Sequence, residues 1–164
     1  MLIRTATDQD WPRIWPFFQA IVEAGETYAY PDDLTEETGR ALWMEAPPGL
    51  TVVAAEDDNI DARVLASAKM GPNRPGRGSH VATASFMVDP ASQGRGLGRA
   101  LGEYMVEWAR TEGYRGIQFN AVVETNPAVR LWQALGFEII GTVPEAFDSR
   151  QHGLVGLHVM YRKL

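Results

Sequence analysis

The 164-residue chain contains no cysteine. That absence excludes disulfides, a thiol nucleophile and a cysteine-ligated metal site, and leaves the compartment open. No apolar run approaches the length of a membrane span, and the start, Met1-Leu2-Ile3-Arg4, lacks a signal-peptide pattern. With no export signal, the expectation is a cytoplasmic protein with no membrane partner and no metal. Positive charge is short as well: 15 Lys and Arg against 21 Asp and Glu give a net charge of −6, which argues against general nucleic-acid binding. Repeats and low-complexity linkers are missing. What is plentiful is core material, 45% hydrophobic residues with five tryptophans, which excludes disorder and predicts one domain over residues 1–164.

Charge is spread unevenly. Residues 1–62 carry three Lys or Arg against thirteen Asp or Glu, residues 63–99 six against one, and residues 100–164 six against seven. The basic excess surrounds the stretch Val88-Asp89-Pro90-Ala91-Ser92-Gln93-Gly94-Arg95-Gly96-Leu97-Gly98-Arg99. There an apolar strand meets a proline stop, then a loop with glycines at alternate positions, then a helical pattern from Leu97. Such a junction turns several backbone N–H groups toward one spot, where the positive end of a helix dipole adds its field. Glycine keeps the approach open because it has no Cβ, and Arg95 and Arg99 can add charge-assisted contacts. The chemistry is that of a phosphate cradle. No Lys-Ser/Thr pair follows, so it is not a P-loop, and the third glycine of a Rossmann fingerprint is absent from either starting glycine.

The spacing that fits is Gln-x-x-Gly-x-Gly, as Gln93, Gly96 and Gly98. Downstream, Leu97, Leu101, Met105, Trp108 and Ala109 recur at helical spacing up to Gly113, and Gly116–Val123 reads as a strand. Thr125-Asn126-Pro127 then opens a second helix, with Asn126 suited to the N-cap and Pro127 to the first helical position, and Gly136 before Phe137 suits a left-handed C-cap. The two motifs in this order resemble those of the GNAT superfamily of acyl-CoA-dependent N-acetyltransferases. The sharp motifs cover about residues 86–137, while the order of elements matches over almost the whole chain. Arg4, an aspartate before the first helix, and the Thr27-Tyr28…Leu34-Thr35-Glu36-Glu37 stretch are more loosely similar to the phosphinothricin and amino-acid acetyltransferase branch.

Elsewhere the pattern predicts a mixed α/β sheet with helices on both faces, which is also the fold the resemblance implies. Leu2–Thr5 reads as a first strand. Asp8 is the expected cap of a helix to about Ala24, with Pro16 delaying or bending it. Thr35 caps a second helix reaching Met44. Thr51–Ala55 and Arg63–Met70 form a hairpin across the polar turn Asp57–Asp61. Gly71–Ser79 is a loop, and His80–Val88 feeds the glycine loop. Glu138–Val143 and Leu154–Tyr161 close the sheet, joined by Pro144–Gly153.

The resemblance implies acetyl-CoA as co-substrate and an amine as acceptor. Carried over by position, Phe86, Met87 and Val88 meet the pantetheine arm through their backbone, with an N–H near Val88 polarising the acyl carbonyl. Gln93, Gly94, Arg95, Gly96, Leu97, Gly98 and Arg99 hold the pyrophosphate, and Asn126 meets the pantetheine or a water near the sulfur. Two departures bear on catalysis. The tyrosine that many members place in the second motif is Trp132 here, and an indole N–H is no proton donor at working pH. The strand Val81–Val88 carries no acid. Glu124, Glu26 and His80 are therefore candidate bases, and Tyr161 and Tyr104 candidate proton donors.

Residues Glu23–Leu34, with Tyr28, Tyr30 and several acids, form a candidate pocket for a cationic amine. The leading expectation is acetylation of a primary amine on a small molecule such as an amino acid or an analogue. Acetylation of a protein N-terminus or lysine, and a non-catalytic acyl-CoA-binding module, stay open. Homodimers are common in the resembling family, and the apolar strand His158–Tyr161 is a candidate pairing element.

Overall fold

In the computed structural model, which describes residues 1–59 and 61–164, the chain folds around a seven-stranded sheet. Ile60, inside the expected turn Asp57–Asp61, lies outside the described residues. In chain order the elements are β1 (Leu2–Thr5), α1 (Trp11–Ala24), α2 (Glu36–Trp43), β2 (Leu50–Ala55), β3 (Val64–Pro72), β4 (Val81–Val88), α3 (Leu97–Thr111), β5 (Gly116–Val123), α4 (Ala128–Ala134), β6 (Glu138–Ser149) and β7 (Gly153–Lys163). The sheet order is β1-β2-β3-β4-β5-β7-β6. Only β4 and β5 run parallel, joined by the α3 crossover, and every other neighbouring pair is antiparallel. This is the expected mixed sheet.

Alternation along the strands sends side chains to two cores. Val52 and Ala54 of β2 join the cluster beneath α3 and α4, with Leu101, Met105, Phe119 and Trp132. Val53, between them, joins the cluster beneath α1 and α2, with Ile14, Phe18 and Trp43. Gly102 lets α3 and α4 approach, because a Cβ there would come within 2.6 Å of Leu135 and 3.0 Å of Trp132. Trp43 is fully buried, and its Nε1 donates to Ser67 Oγ (2.9 Å), which donates in turn to the Val52 carbonyl (2.8 Å). Trp43→Phe removes one donor and leaves a gap, so a loss of about 2–3 kcal/mol is expected. Urea unfolding monitored by far-ultraviolet circular dichroism measures it.

Several details differ from the sequence reading. Helix α1 has Asp10 at its N-cap, not Asp8. Asp8 stays on the surface, paired with Arg40 at 2.5 Å, while the buried Asp10 turns back to Arg4 and Thr7. Nor does Pro16 delay the start of the helix, which begins at Trp11. The proline removes one hydrogen bond, and stacking of Trp15 on Phe18 (5.8 Å), with Trp11 tilted against Trp15 (5.8 Å) and edge-on to Phe18 (5.6 Å), packs that side of the helix. Strand β3 runs on to Pro72, pairing with Ala82.

The largest difference is β6, which continues through Pro144 to Ser149. It is an edge strand, so a missing N–H on its open side forfeits no ladder bond. The register breaks between Val143 and Phe147, where Glu145 adopts φ +52°. Strand β7 is correspondingly held on both sides, by β5 and β6, so His158–Tyr161 presents no free edge for a second chain. No helix among the described residues is long and apolar enough to cross a membrane.

Candidate active site

Strands β4 and β5 pair only at Val81↔Gly116 and Ala82↔Ile117, and then part. Backbone groups alternate along a strand. Toward β3, the Val81 carbonyl accepts from Asn73 N–H and Asp89 N–H donates to the Leu65 carbonyl. The N–H and C=O groups of Ala84, Phe86 and Val88 therefore turn the other way, into the gap. An open V in the middle of a sheet exposes a row of hydrogen-bonding groups that a linear, amide-bearing ligand could pair with.

The gap leads into a cavity of about 610 Å³. Its floor is β4 from Ala84 to Val88 with Phe119, Ala121 and Val122 of β5, and its mouth is the glycine loop from Gln93 to Arg99. Trp132, only 6% exposed, walls one side, packed against Phe86 (4.6 Å) and Phe119 (5.1 Å). The loop is anchored at its entry by Asp89, which pairs with Arg63 (2.8 Å) and accepts from Ala91 N–H (2.9 Å). Gly94 and Gly96 take φ of +78° and +74°, the left-handed region that glycine enters without strain. Among the described residues, the N–H groups of Gly94, Gly96, Leu97 and Gly98 meet no acceptor on the protein. A Cβ at Gly94 or Gly96 would meet nothing within 4 Å. These unused donors, at the start of a 15-residue helix, form a cradle fitted to a diphosphate.

The opposite end is built by the last turn of α1 and the segment after it. Ala20, Ile21, Ala24, Glu26, Thr27 and Tyr28 line the cavity. Glu26 is fastened across the molecule: its carboxylate accepts from Ser149 Oγ (2.6 Å) and Gln151 N–H (2.9 Å) on the β6–β7 turn. Arg150 of the same turn donates its N–H to the Gly25 carbonyl (3.2 Å) and pairs with Asp32 (3.2 Å). Tyr28 stacks on Tyr30 (5.3 Å, 12°) and meets Trp43 edge-on. Burial pushes the Tyr30 phenol up to about 12, with nearby Glu45 adding to the rise. Tyr28 is raised as well, first by burial and then by Tyr30. Both phenols stay protonated across the working pH range.

A model of the acetyltransferase (GNAT) family matches residues 11–137. The chain belongs to the GNAT acetyltransferase family. It is 60% identical to a GCN5-related N-acetyltransferase from Kribbella flavida, covering 99% of this chain and 97% of that one with a TM-score of 0.93. An L-methionine sulfoximine/L-methionine sulfone acetyltransferase of Salmonella typhimurium is 30% identical over 149 residues, which is 88% of this chain and 84% of that protein. A phosphinothricin acetyltransferase from Sinorhizobium meliloti, solved in complex with acetyl-CoA, shares the fold with a TM-score of 0.86 at 21% identity, covering 99% and 88% of the two chains.

Within this GNAT fold the expected coenzyme-side residues converge on one cavity: Phe86, Met87, Val88, Gln93, Gly94, Gly96, Leu97, Gly98, Arg99 and Asn126 all line it, but the backbone of Met87, opposite Ser67, turns to β3 and not, as expected, into the gap. Arg95 does not; it sits exposed on the outside of the loop. Asn126 Oδ1 accepts from Ala128 N–H (2.9 Å), the first N–H of α4, although the N-cap position itself falls to Pro127, one residue later than expected.

The expected catalytic residues are scattered. Of the three carboxylate and tyrosine candidates Glu124, Tyr161 and Glu26, only Glu26 lines the cavity. Glu124 spends its carboxylate on Gly156 N–H (2.6 Å) in β7. The Tyr161 ring lies over Gly116, at the closed end of the β4–β5 pair, away from the V. His80 is exposed before β4, and Tyr104 packs on the α3 core. Their spacing in sequence carries no information on strand register, which decides these positions. Of the proposed amine pocket, Glu26, Thr27 and Tyr28 reach the cavity, whereas Tyr30 packs behind Tyr28 and Asp32 turns to Arg150. The reach of α1 into the same cavity has no local signal in the sequence.

Proposed function

We propose that this N-acetyltransferase transfers the acetyl group of acetyl-CoA to the primary amine of a small amino acid or amino-acid analogue. The observation that carries the reading is the single cavity that joins the glycine cradle to Glu26 through the β4–β5 gap. Its two ends have opposite polarity. At one, unused N–H donors and Arg99 suit the pyrophosphate, and the open backbone groups of Val88 suit the amides of the pantetheine arm. At the other, the Glu26 carboxylate suits an ammonium group, and its two hydrogen bonds hold it rigidly in place. The dense aromatic packing around Tyr28 closes the acceptor end in a way that favours a small molecule over a peptide chain. Two related proteins point to the same class, an L-amino acid N-acetyltransferase of Escherichia coli and the sulfoximine acetyltransferase of Salmonella.

On this reading Glu26 binds the ammonium and accepts its proton, directly or through water, before the amine attacks the acyl carbon. The backbone N–H groups of the V polarise the acyl carbonyl. Trp132 fills the position of the missing tyrosine with packing, so the departing thiolate takes its proton from solvent.

Release of free CoA thiol, followed with a disulfide reagent, tests this against a panel of L-amino acids, methionine sulfone, polyamines and short peptides. Amino acids or their analogues are expected to release thiol above background. Glu26→Gln is expected to raise KM for the amine about tenfold or more, the loss of one charge-assisted contact. Thiol release with peptides alone, or tight acetyl-CoA binding with no turnover on any amine, overturns the reading.

A further inference from the structure

The hydroxyl of Tyr28 makes an unusual pair of bonds. It donates to the carbonyl of Phe86 (2.6 Å) and accepts from the N–H of the same residue (2.9 Å). Fifty-eight residues separate the partners, and the bonds fall where β5 would have paired with β4 had the two strands stayed together. The phenol oxygen thus occupies the place of an acceptor oxygen in the gap, at the one residue of the open edge that is already engaged. Its ring is held by Tyr30 and Trp43, and Trp43 is itself tied through Ser67 to β2.

The order of groups along the gap decides what displaces that oxygen. A ligand whose phosphates rest on the glycine loop enters past Val88 and reaches Phe86 next, because successive gap-facing residues lie two apart on the strand. Val88 therefore meets the amide nearer the loop, and Phe86 meets what lies deeper. We infer that Tyr28 is a catalytic residue, its hydroxyl and the N–H of Phe86 together forming the donor pair for the acyl oxygen of the bound thioester. On binding, the acyl oxygen takes the Phe86 N–H from the phenol, and the phenol O–H turns from the Phe86 carbonyl to donate to it. The proton stays on Tyr28 throughout. Negative charge gathering on the acyl oxygen during amine attack then faces two fixed donors in a site walled by Trp132, Phe86 and Phe119, where such contacts count most.

This role rests on the proposed use of acetyl-CoA, and one experiment separates the two. Acetyl-CoA carrying ¹³C at the acyl carbonyl is bound to wild type and to Tyr28→Phe, and its C=O stretch is read by isotope-edited infrared spectroscopy. The wild-type band is expected below that of the free thioester, with Tyr28→Phe returning it part of the way. CoA itself, which has no acyl oxygen, is expected to bind both proteins within about twofold, and kcat on the best amine to fall about 100-fold, the usual effect of one lost donor. Replacing Tyr28 with 3-fluorotyrosine, a stronger donor of nearly the same shape, is expected to move the band further down. It also keeps the test open if Tyr28→Phe does not fold. A band unmoved in both variants overturns the role of Tyr28, as does an equal loss of CoA and acetyl-CoA affinity. Failure of wild type to bind either ligand overturns the coenzyme reading instead.

Discussion

Asp10→Asn is expected to cost about 3–5 kcal/mol, the penalty for leaving one partner of a buried ion pair alone. The Asp10 side chain has no exposed surface, and Arg4 grips both oxygens, Nη1 to Oδ2 and Nη2 to Oδ1, each at 2.8 Å. The N–H of Thr7 (2.7 Å) and its hydroxyl (3.1 Å) also point at Oδ2. An asparagine would set an NH2 group against donors and leave the partly exposed Arg4 without its counter-charge. At about 2–4 °C per kcal/mol for a chain of this size, the melting temperature drops by roughly 10 °C, which differential scanning calorimetry reads directly.

The same pair sets the response to acid. Burial alone would raise the Asp10 carboxyl, but the bonds from Arg4 and Thr7 outweigh it and hold the group below its usual range. A carboxyl lowered by folding contributes its full stability above the unfolded value, near pH 4, and loses it as pH falls through the folded one. Wild type should therefore weaken steeply below about pH 4 while Asp10→Asn shows a shallower acid limb. Equal slopes for the two proteins would show that Asp10 is not the group responsible. The consequence reaches the site, because Asp10 fixes the start of α1 and the end of α1 walls the cavity.

Gly96→Val is expected to lower acetyl-CoA affinity about 100-fold, the equivalent of two charge-assisted hydrogen bonds. Space is not the obstacle, since nothing lies within 4 Å of a Cβ at this position. The backbone is. At φ +74° a β-branched residue is strained by about 1–3 kcal/mol, and relief of that strain turns the loop's N–H groups away from their common focus. The new side chain would also stand in the open mouth proposed to receive the diphosphate. Titration calorimetry with acetyl-CoA checks the loss. A circular dichroism spectrum unchanged from wild type confines the effect to the loop, and undiminished affinity would remove the cradle from the coenzyme site.

Much of the site was legible because its parts are local. Gln93 to Arg99 and Asn126 to Phe137 carry their conformations in glycine positions, caps and helical periods that neighbouring residues settle among themselves. The capping box of Thr35 and Thr38 formed as its pattern suggested. Errors arose where an element's state depends on distant chain. Pro144 reads as a stop, yet an open edge tolerates it, and only the sheet order reveals that β6 is that edge. Asp8 is a cap by type, yet the N-cap position falls to Asp10, whose side chain turns back to Arg4 on β1 and Thr7 and caps no helical N–H.

By itself, then, the sequence determined the glycine cradle and the two signature helices, since each rests on contacts within a turn or two of chain, and the order of those motifs pointed to the mixed α/β family fold. The tertiary structure decided which polar groups face the cavity. Strand register turned Tyr161 and Glu124 away, the β6–β7 turn fixed Glu26 at the end of the cavity opposite the glycine loop, and the parting of β4 from β5 gave Tyr28 a backbone to hold. Those outcomes depend on residues brought together from far along the chain, and the side chain of an isolated residue cannot specify its long-range partner.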